Sequence, residues 1–238
     1  MGECFIIRRG SGMSSKGVPD ITYTGTYSVI LEDDIGENWF IKFTSSGILT
    51  LKRNTVVDAV IIGGGGAGQE GTAVSRNGGG SGYNQQPIGI ELVANTRYEI
   101  IVGDGGARNS ESNGGASSAF GYTANGGQSG KNGRGGTRTG AATSTKGTDG
   151  EDGFLLFDST LLGYVCGSGG SGSSQDQYTG YGEGGLGGGG DGGYLGIGGK
   201  DGEPNTGGGG GGGGYNPNGT DGDGGAGGSG IVVIRNSR

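Results

Sequence analysis

The sequence predicts an all-β protein, in which a β-sandwich-like framework carries a bundle of polyglycine-II-type helices and long glycine-rich loops, with almost no α-helix. Three observations support this fold class. Glycine supplies 68 of the 238 residues. Short segments rich in β-branched and aromatic residues recur along the chain. No stretch places apolar residues at positions i, i+3, i+4 and i+7, the spacing of an amphipathic helix.

The framework strands are predicted from alternating side chains and from the turn residues between them. In the segment 39–43, for example, Trp39, Ile41 and Phe43 alternate with Phe40 and Lys42. We expect strands at 21–24, 27–31, 39–43, 48–51, 55–62, 88–92, 98–102 and 231–235, with shorter apolar pieces at 154–157, 161–162 and 164–166. The strand 231–235 is expected to return to the framework and to fix the glycine tracts at both ends.

The glycine tracts between the strands need a physical reason to be ordered. Each glycine costs roughly 0.5–1 kcal/mol more to order than alanine does. Collagen is excluded because glycine does not recur at every third position and only 4 residues are proline. Extended glycine chains with three residues per turn keep their N–H groups, however, and can hydrogen-bond laterally to one another. We expect this packing for the tracts 184–194, 207–214 and 222–230, with flexible loops as the alternative.

Charge and hydropathy argue against two classes of partner. The formal net charge is -7, and no run of Lys and Arg exceeds two residues, so we expect no binding to nucleic acid. The longest apolar run, residues 56–62, is interrupted by Asp58 and is too short to span a bilayer, so we expect no membrane insertion. The N-terminus lacks the order of a signal peptide, which predicts synthesis and folding in a cytoplasm. There, Cys4 and Cys166 are expected to be free thiols rather than a disulfide.

The sequence contains no catalytic or cofactor motif with the residues and structural context that the motif requires. The chain has no histidine, which removes Ser-His-Asp and Cys-His catalysis and most zinc chemistry. Residues 63–68 match GxGxxG, but no helix follows to hold a pyrophosphate. We therefore predict a protein that is not an enzyme and has no cofactor. The acidic turns 149–152 and 221–224 lack the spacing of known calcium loops and are interpreted as solvated turns, with calcium binding as the alternative.

Aromatic residues inside the glycine tracts are the candidate binding residues. Tyr178, Tyr181, Tyr194 and Tyr215 stand among Gly, Ser, Asn and Gln, and Asn216 follows the last of them. Tyrosine offers a large, rigid and amphipathic contact area, which is why it is common in antibody binding loops. Contact with a receptor protein or glycan is one reading of these residues. In the other, the rings pack over the glycine bundle as its hydrophobic cover.

Three segments in order carry a resemblance to a known family. They are 43–51 with 60–68, 98–106 with 114–121, and 224–235. In this order they resemble the glycine-rich domain of bacteriophage and prophage tail proteins over roughly residues 38–235. A more distant similarity is to the glycine-rich adhesins at the tips of long tail fibres. In the segment 52–54, Lys-Arg-Asn stands where members of the family often have a proline.

The resemblance implies a phage virion protein of the tail, fibre or baseplate, with loop tips displayed for recognition of the host surface. Because the sequence has no long repetitive shaft, we expect residues 1–37 to attach the glycine-rich β domain, residues 38–238, to other virion proteins. A homo-oligomer, with a trimer favoured, and a virion location after assembly in the host cytoplasm are also expected. The alternative is a capsid-decoration or cement protein that has no ligand.

Overall fold

The fold is that of a computed structural model, which describes residues 4–7, 17–32, 38–72, 77–110, 112–130, 149–158, 162–173 and 180–237. The strands of this part of the chain are β1 (Cys4–Ile7), β2 (Ile21–Tyr23), β3 (Tyr27–Leu31), β4 (Trp39–Phe43), β5 (Gly47–Leu51), β6 (Thr55–Ile62), β7 (Asn84–Gln85), β8 (Ile90–Leu92), β9 (Arg97–Ile101), β10 (Ser117–Ala119), β11 (Tyr122–Ala124), β12 (Phe154–Leu155), β13 (Tyr164–Val165) and β14 (Ile231–Asn236). In the same residues, helical structure is limited to one 3-10 turn, Leu156–Asp158. The predicted all-β class is confirmed.

Two sheets form the framework. The larger has the order β1-β3-β4-β14-β6-β7, with β8 also paired to β6, and the smaller has the order β11-β10-β9-β5-β2. In both sheets the strand pairs of the described residues are antiparallel, apart from β1 and β3, which run parallel. A separate two-stranded ribbon joins β12 and β13. None of the described helical residues forms a segment long and apolar enough to cross a membrane.

The alternation of side chains in β4 places them in two different cores. Trp39, Ile41 and Phe43 are buried in the cluster that also holds residues of the smaller sheet. Phe40 points to the opposite face and packs with Val165, Cys166 and their neighbours. Burying a side chain of this size contributes roughly 1.5–3 kcal/mol to the stability of the fold. Because of the alternation, both faces of the larger sheet bury side chains and stabilise the fold.

The C-terminal strand β14 lies in the middle of the larger sheet, as the sequence predicts. It pairs with β4 from Val232 to Arg235 and with β6 along its whole length. Its first residue, Ile231, is paired with Ile62, the last residue of β6. The last residue of β6 and the first residue of β14 therefore lie side by side, at the same end of the strands.

Several predicted elements differ in extent from the observed ones. The strand expected at 88–92 begins only at Ile90, because Gly89 has a φ of 67°, outside the extended region. The piece expected at 154–157 turns after Leu155 into the 3-10 turn. Within the predicted attachment segment 1–37, β2 and β3 belong to the sandwich and bury Tyr23 and Val29 in its core. Attachment through this segment stays a prediction.

Glycine tracts extend from one end of the sandwich, where strands such as β6 end, and form a bundle of extended chains. We call residues 207–215 the central tract. From Gly209 onward its N–H groups donate in turn to three neighbouring chains, and its carbonyl oxygens accept in turn from three others. The N–H acceptors lie in residues 66–69, 167–173 and 197–200, and the donors to its carbonyls lie in residues 79–82, 190–193 and 222–228. Six chains thus surround it.

The hydrogen bonds of the central tract repeat with a period of three residues. Gly209, Gly212 and Tyr215 donate to one neighbour, residues 167–173, at 2.9–3.1 Å. Gly210 and Gly213 donate to a second neighbour, residues 66–69, at 2.8–3.0 Å. A chain with three residues per turn presents its N–H groups in three directions in this way. The predicted bundle of polyglycine-II-type helices is confirmed.

Carboxylates complete the hydrogen bonding at the outside of the bundle. Asp149 accepts the N–H of Glu183 at 2.8 Å, and Asp152 accepts the N–H of Leu186 at 2.7 Å. A backbone donor on an outer chain has no further chain beside it, so a carboxylate oxygen takes the acceptor's place. In the acidic turn 149–152, these two aspartates therefore serve the fold by binding backbone N–H groups.

Candidate functional site

The bundle has one end at the sandwich and one end far from it. Gly207 lies against Ile62 and Gly63, where β6 ends. Eight residues later, Tyr215 ends the central tract. At a rise of about 3.1 Å per residue, the eight residues from Gly207 to Tyr215 span about 25 Å. We call the far end, formed by residues 71–72, 173, 180–181, 194–197 and 214–222, the tip.

Lateral hydrogen bonds hold the chains together at the tip. The N–H of Gly71 donates to Gly222 at 2.9 Å, and the N–H of Gly222 donates to Gly214 at 2.8 Å. The N–H of Gly214 in turn donates to Ile197 at 3.0 Å. The loops at the tip therefore start from positions fixed by neighbouring backbones, which is the usual setting of a binding loop on a rigid scaffold.

Three of the predicted contact tyrosines lie at the tip. The rings of Tyr181 and Tyr194 are stacked, with centroids 5.8 Å apart and planes inclined by 26°. The N–H of Tyr215 donates to Ser173 at 3.1 Å, and Ser173 is itself paired with Tyr194 in a parallel β-bridge. All three tyrosines are half-buried. Tyr178 lies outside the described residues.

Asn216 has a role inside its own loop. Its backbone N–H donates to the Asp221 carboxylate at 2.9 Å, and its side-chain oxygen accepts the N–H of Asn218 at 3.1 Å. Such side-chain-to-backbone bonds close turns. Asn216 therefore shapes the loop that follows Tyr215, and its contact with a receptor stays a prediction.

Two apolar residues at the tip were not among the predicted site residues. Leu195 and Ile197 lie one and three residues after Tyr194 and have 39% and 53% of their surface exposed. The sequence carries a signal for them, since an isolated Tyr-Leu-Gly-Ile group between glycines has no neighbouring apolar residues to pack with. They give the tip an exposed apolar rim beside the stacked tyrosines.

Comparison with known proteins assigns the family. Residues 44–237 match the family described as a glycine-rich domain. The chain belongs to this family. The matched segment starts directly after β4 and ends directly after β14, so that it contains the described glycine tracts and the tip. No curated protein matches the chain.

The glycine-rich domain carries one ion pair near the tyrosine stack. Lys200 Nζ lies 2.7 Å from Asp191 Oδ2. Its pKa is raised by this hydrogen bond and by the charge of Asp191, with a smaller contribution from Tyr181. Burial acts to raise the pKa of Asp191, but the N–H of Gly184 and the ammonium of Lys200 lower it below its ordinary value. Both groups are charged at neutral pH. The pair therefore makes the surface near the tip polar, and the two charges neutralise each other.

Proposed function

We propose that this glycine-rich domain is a bacteriophage virion protein of the tail, fibre or baseplate, and that its tip contacts a receptor on the host surface. The observation that carries the proposal is the position of Tyr181, Tyr194 and Tyr215 together at the far end of the bundle. The resemblance of three ordered sequence segments to phage tail proteins suggests the biological setting. The proposed activity is binding and not catalysis.

The physical argument rests on rigidity and composition. The backbone bonds between tracts hold the tip loops about 25 Å from the sandwich, at the rise of an extended three-residue helix. A preorganised surface loses less conformational freedom on binding than a flexible loop does. Tyrosines with exposed Leu195 and Ile197 beside them provide both apolar area and hydroxyl groups. This combination suits a receptor protein or a glycan.

The test replaces the tip tyrosines and measures adsorption of phage particles to host cells. We expect the triple variant Tyr181→Ser, Tyr194→Ser, Tyr215→Ser to form particles that adsorb poorly, and Tyr178→Ser is assayed separately. Tyr122→Ser is the matched control, because Tyr122 is 42% exposed on β11 of the sandwich and away from the tip. Normal adsorption by the triple variant, with unchanged particle yield, would reject receptor contact through these residues.

A second measurement tests the virion location. Virions labelled with an antibody against the chain should carry the label at the fibre or baseplate tips. Label spread over the capsid would favour the capsid-decoration alternative instead, and absence of label from particles would reject a virion protein altogether.

The cement alternative also predicts a different result for the tyrosine variants. If the tip is buried between subunits, the triple variant should lose particles or particle stability rather than adsorption. Light scattering of the purified chain then decides whether the expected homo-oligomer, with a trimer favoured, forms with the wild-type tip and not with the substituted one.

A further inference from the structure

A second surface feature lies at the other end of the bundle, where the glycine tracts meet the sandwich. It is a cleft of about 620 Å³ between β4, the β12-β13 ribbon and the tract ends 184–189 and 203–206. Binding sites for small molecules have volumes of roughly 300–1,000 Å³. The cleft is therefore large enough for a monosaccharide or a smaller organic molecule.

Lys42 supplies the positive charge of the cleft. It lies on the same face of β4 as Phe40, is half-buried, and donates from Nζ to the carbonyl oxygen of Leu162 at 3.2 Å. In the described part of the chain no carboxylate lies within ion-pair distance of it. Burial lowers the pKa of Lys42, because the charged form loses hydration. A partly desolvated ammonium with one protein hydrogen bond is stabilised when an anion supplies the missing partners.

Two residues whose backbone N–H groups are unpaired within the described chain line the same cleft. The N–H groups of Gly187 and Gly188 have no acceptor among the described residues, although the carbonyl oxygens of both residues accept hydrogen bonds from neighbouring tracts. Their φ angles are 103° and 91°, values that L-residues rarely adopt, so glycine is needed to form this turn. Consecutive backbone N–H groups in such turns commonly bind anions.

One acidic residue is found among the described residues that line the cleft. Glu203 is exposed, and no ion pair joins it to Lys42. The cleft thus combines an unpaired cation and free backbone donors with an apolar wall from Leu156, Leu162 and Ile231.

We infer that this cleft binds a small oxyanion, a carboxylate or phosphate group, through the ammonium of Lys42, with the N–H groups of Gly187 and Gly188 as further donors. The apolar wall would contact the organic part of a ligand that carries the anion. This inference does not depend on receptor binding, because the cleft lies at the end of the bundle opposite to the tip.

The test follows the lysine itself by NMR. Lysines of the full chain are reductively methylated with ¹³C, and the signal of Lys42 is identified by its absence from Lys42→Arg. Inorganic phosphate, sulfate, acetate and glucuronate are titrated at constant ionic strength. We expect a saturable shift of the Lys42 signal, while the signal of the exposed Lys52 stays unchanged. Absence of a saturable shift with all four anions would overturn the inference.

Variants test the role of the charge. Lys42→Met should weaken binding, measured by calorimetry, by about tenfold or more, the loss expected for a hydrogen bond to a charged group. Lys42→Arg should bind to within a few-fold of the wild type, and Lys52→Gln is the surface control. Unweakened binding by a folded Lys42→Met would reject the site, and the wild-type NMR titration decides the question if this variant unfolds. Tighter binding of glucuronate than of acetate would identify an acidic saccharide as the source of the anion, and equal binding would identify a free small anion.

Discussion

Gly65 and Gly208 lie in neighbouring tracts at a separation that leaves no room for a side chain on Gly65. A Cβ atom placed on Gly65 would overlap the carbonyl oxygen of Gly208. The same two tracts are joined one residue further along, where the N–H of Gly210 donates to the carbonyl oxygen of Gly66 at 3.0 Å. The close approach and the lateral hydrogen bond depend on each other, because a wider spacing would break the bond.

Substitution of Gly65 by alanine should therefore destabilise the domain. Alanine normally stabilises a compatible glycine site by roughly 0.4–1 kcal/mol through the unfolded chain. Here the added methyl group must push backbone apart, and overpacking of this kind costs about 1–3 kcal/mol or more. Urea unfolding of Gly65→Ala measures the difference.

Gly198 is the matched control for this substitution. A Cβ on Gly198 would have its nearest neighbour, the carbonyl oxygen of Asp223, at 3.1 Å, so a small shift relieves the contact. We expect Gly198→Ala to change the free energy of unfolding by less than about 1 kcal/mol. Equal losses in the two variants would contradict the role assigned to the close packing of Gly65.

Removal of residues 231–238 should release the glycine tracts. β14 occupies the centre of the larger sheet, and its side chains Val232, Val233 and Ile234 are fully buried. Without it, β4 and β6 lose their shared neighbour, and the tracts are tied to the sandwich at one end only. The expected result is a lower melting temperature and rapid proteolysis within residues 180–230. A truncated chain that keeps its melting temperature and protease resistance would show that β14 does not hold the bundle.

Loss of the buried ion pair between Asp58 and Arg235 should lower the free energy of unfolding more than loss of a surface pair. Arg235 Nε lies 3.1 Å from Asp58 Oδ2, and the two side chains are 22% and 5% exposed. Arg235→Gln leaves a buried carboxylate without its cation, which costs about 3 kcal/mol. The control is Arg108→Gln, in an exposed pair with Asp201, for which we expect less than about 1 kcal/mol. Chemical denaturation at neutral pH compares the two.

The pH dependence of stability gives an independent check on Asp58. Burial acts to raise its pKa, but hydrogen bonds from Gly89, Ser237 and Arg235, with the charge of Arg235, lower it below the ordinary value of 3.8. A lowered pKa stabilises the folded state at every pH above the ordinary pKa of 3.8. This contribution is lost as the pH falls through the folded-state pKa. Asp58→Asn should therefore flatten the acid limb of the stability curve. An unchanged acid limb would mean that Asp58 is not a source of the acid sensitivity.

Cys166 should be unreactive in the folded protein. Its side chain is buried, and burial raises its pKa to about 12. Since the thiolate is the reactive form, alkylation at about pH 8 should be slow in the native state and fast in denaturant. Labelling is measured by mass spectrometry in a Cys4→Ser background, so that Cys166 is the one cysteine present. Fast labelling of the native protein would show that the core around Phe40 opens readily.

The strands with a distinctive local sequence were predictable. The strands that form only because a neighbouring strand offers hydrogen-bond partners were not. The residues of β4 alternate, and the residues of β6 are β-branched, so both stand out locally. The short strands β10 and β11 consist largely of small or hydroxyl-bearing residues. They are strands only because β9 and β10 supply partners for hydrogen bonds.

The candidate site shows the same division. The tyrosines are conspicuous in glycine tracts, so the sequence identified them. The stacking of Tyr181 on Tyr194 depends on the turn at residues 186–188. Its glycines, Gly187 and Gly188, look in the sequence like any other glycines of the tract. Lys42 looks like an ordinary strand residue, and only the tract ends folded against β4 place it in a cleft.

By itself, the sequence determined that this chain forms short strands and extended glycine chains, because backbone preference and side-chain alternation are local properties. The tertiary structure decided which six chains surround residues 207–215, where the tip lies and which glycines tolerate no Cβ. Glycines carry no side chain by which one tract could be told from another. Their packing order is therefore set by the strands that anchor the tracts and by the requirement that buried N–H and carbonyl groups be paired.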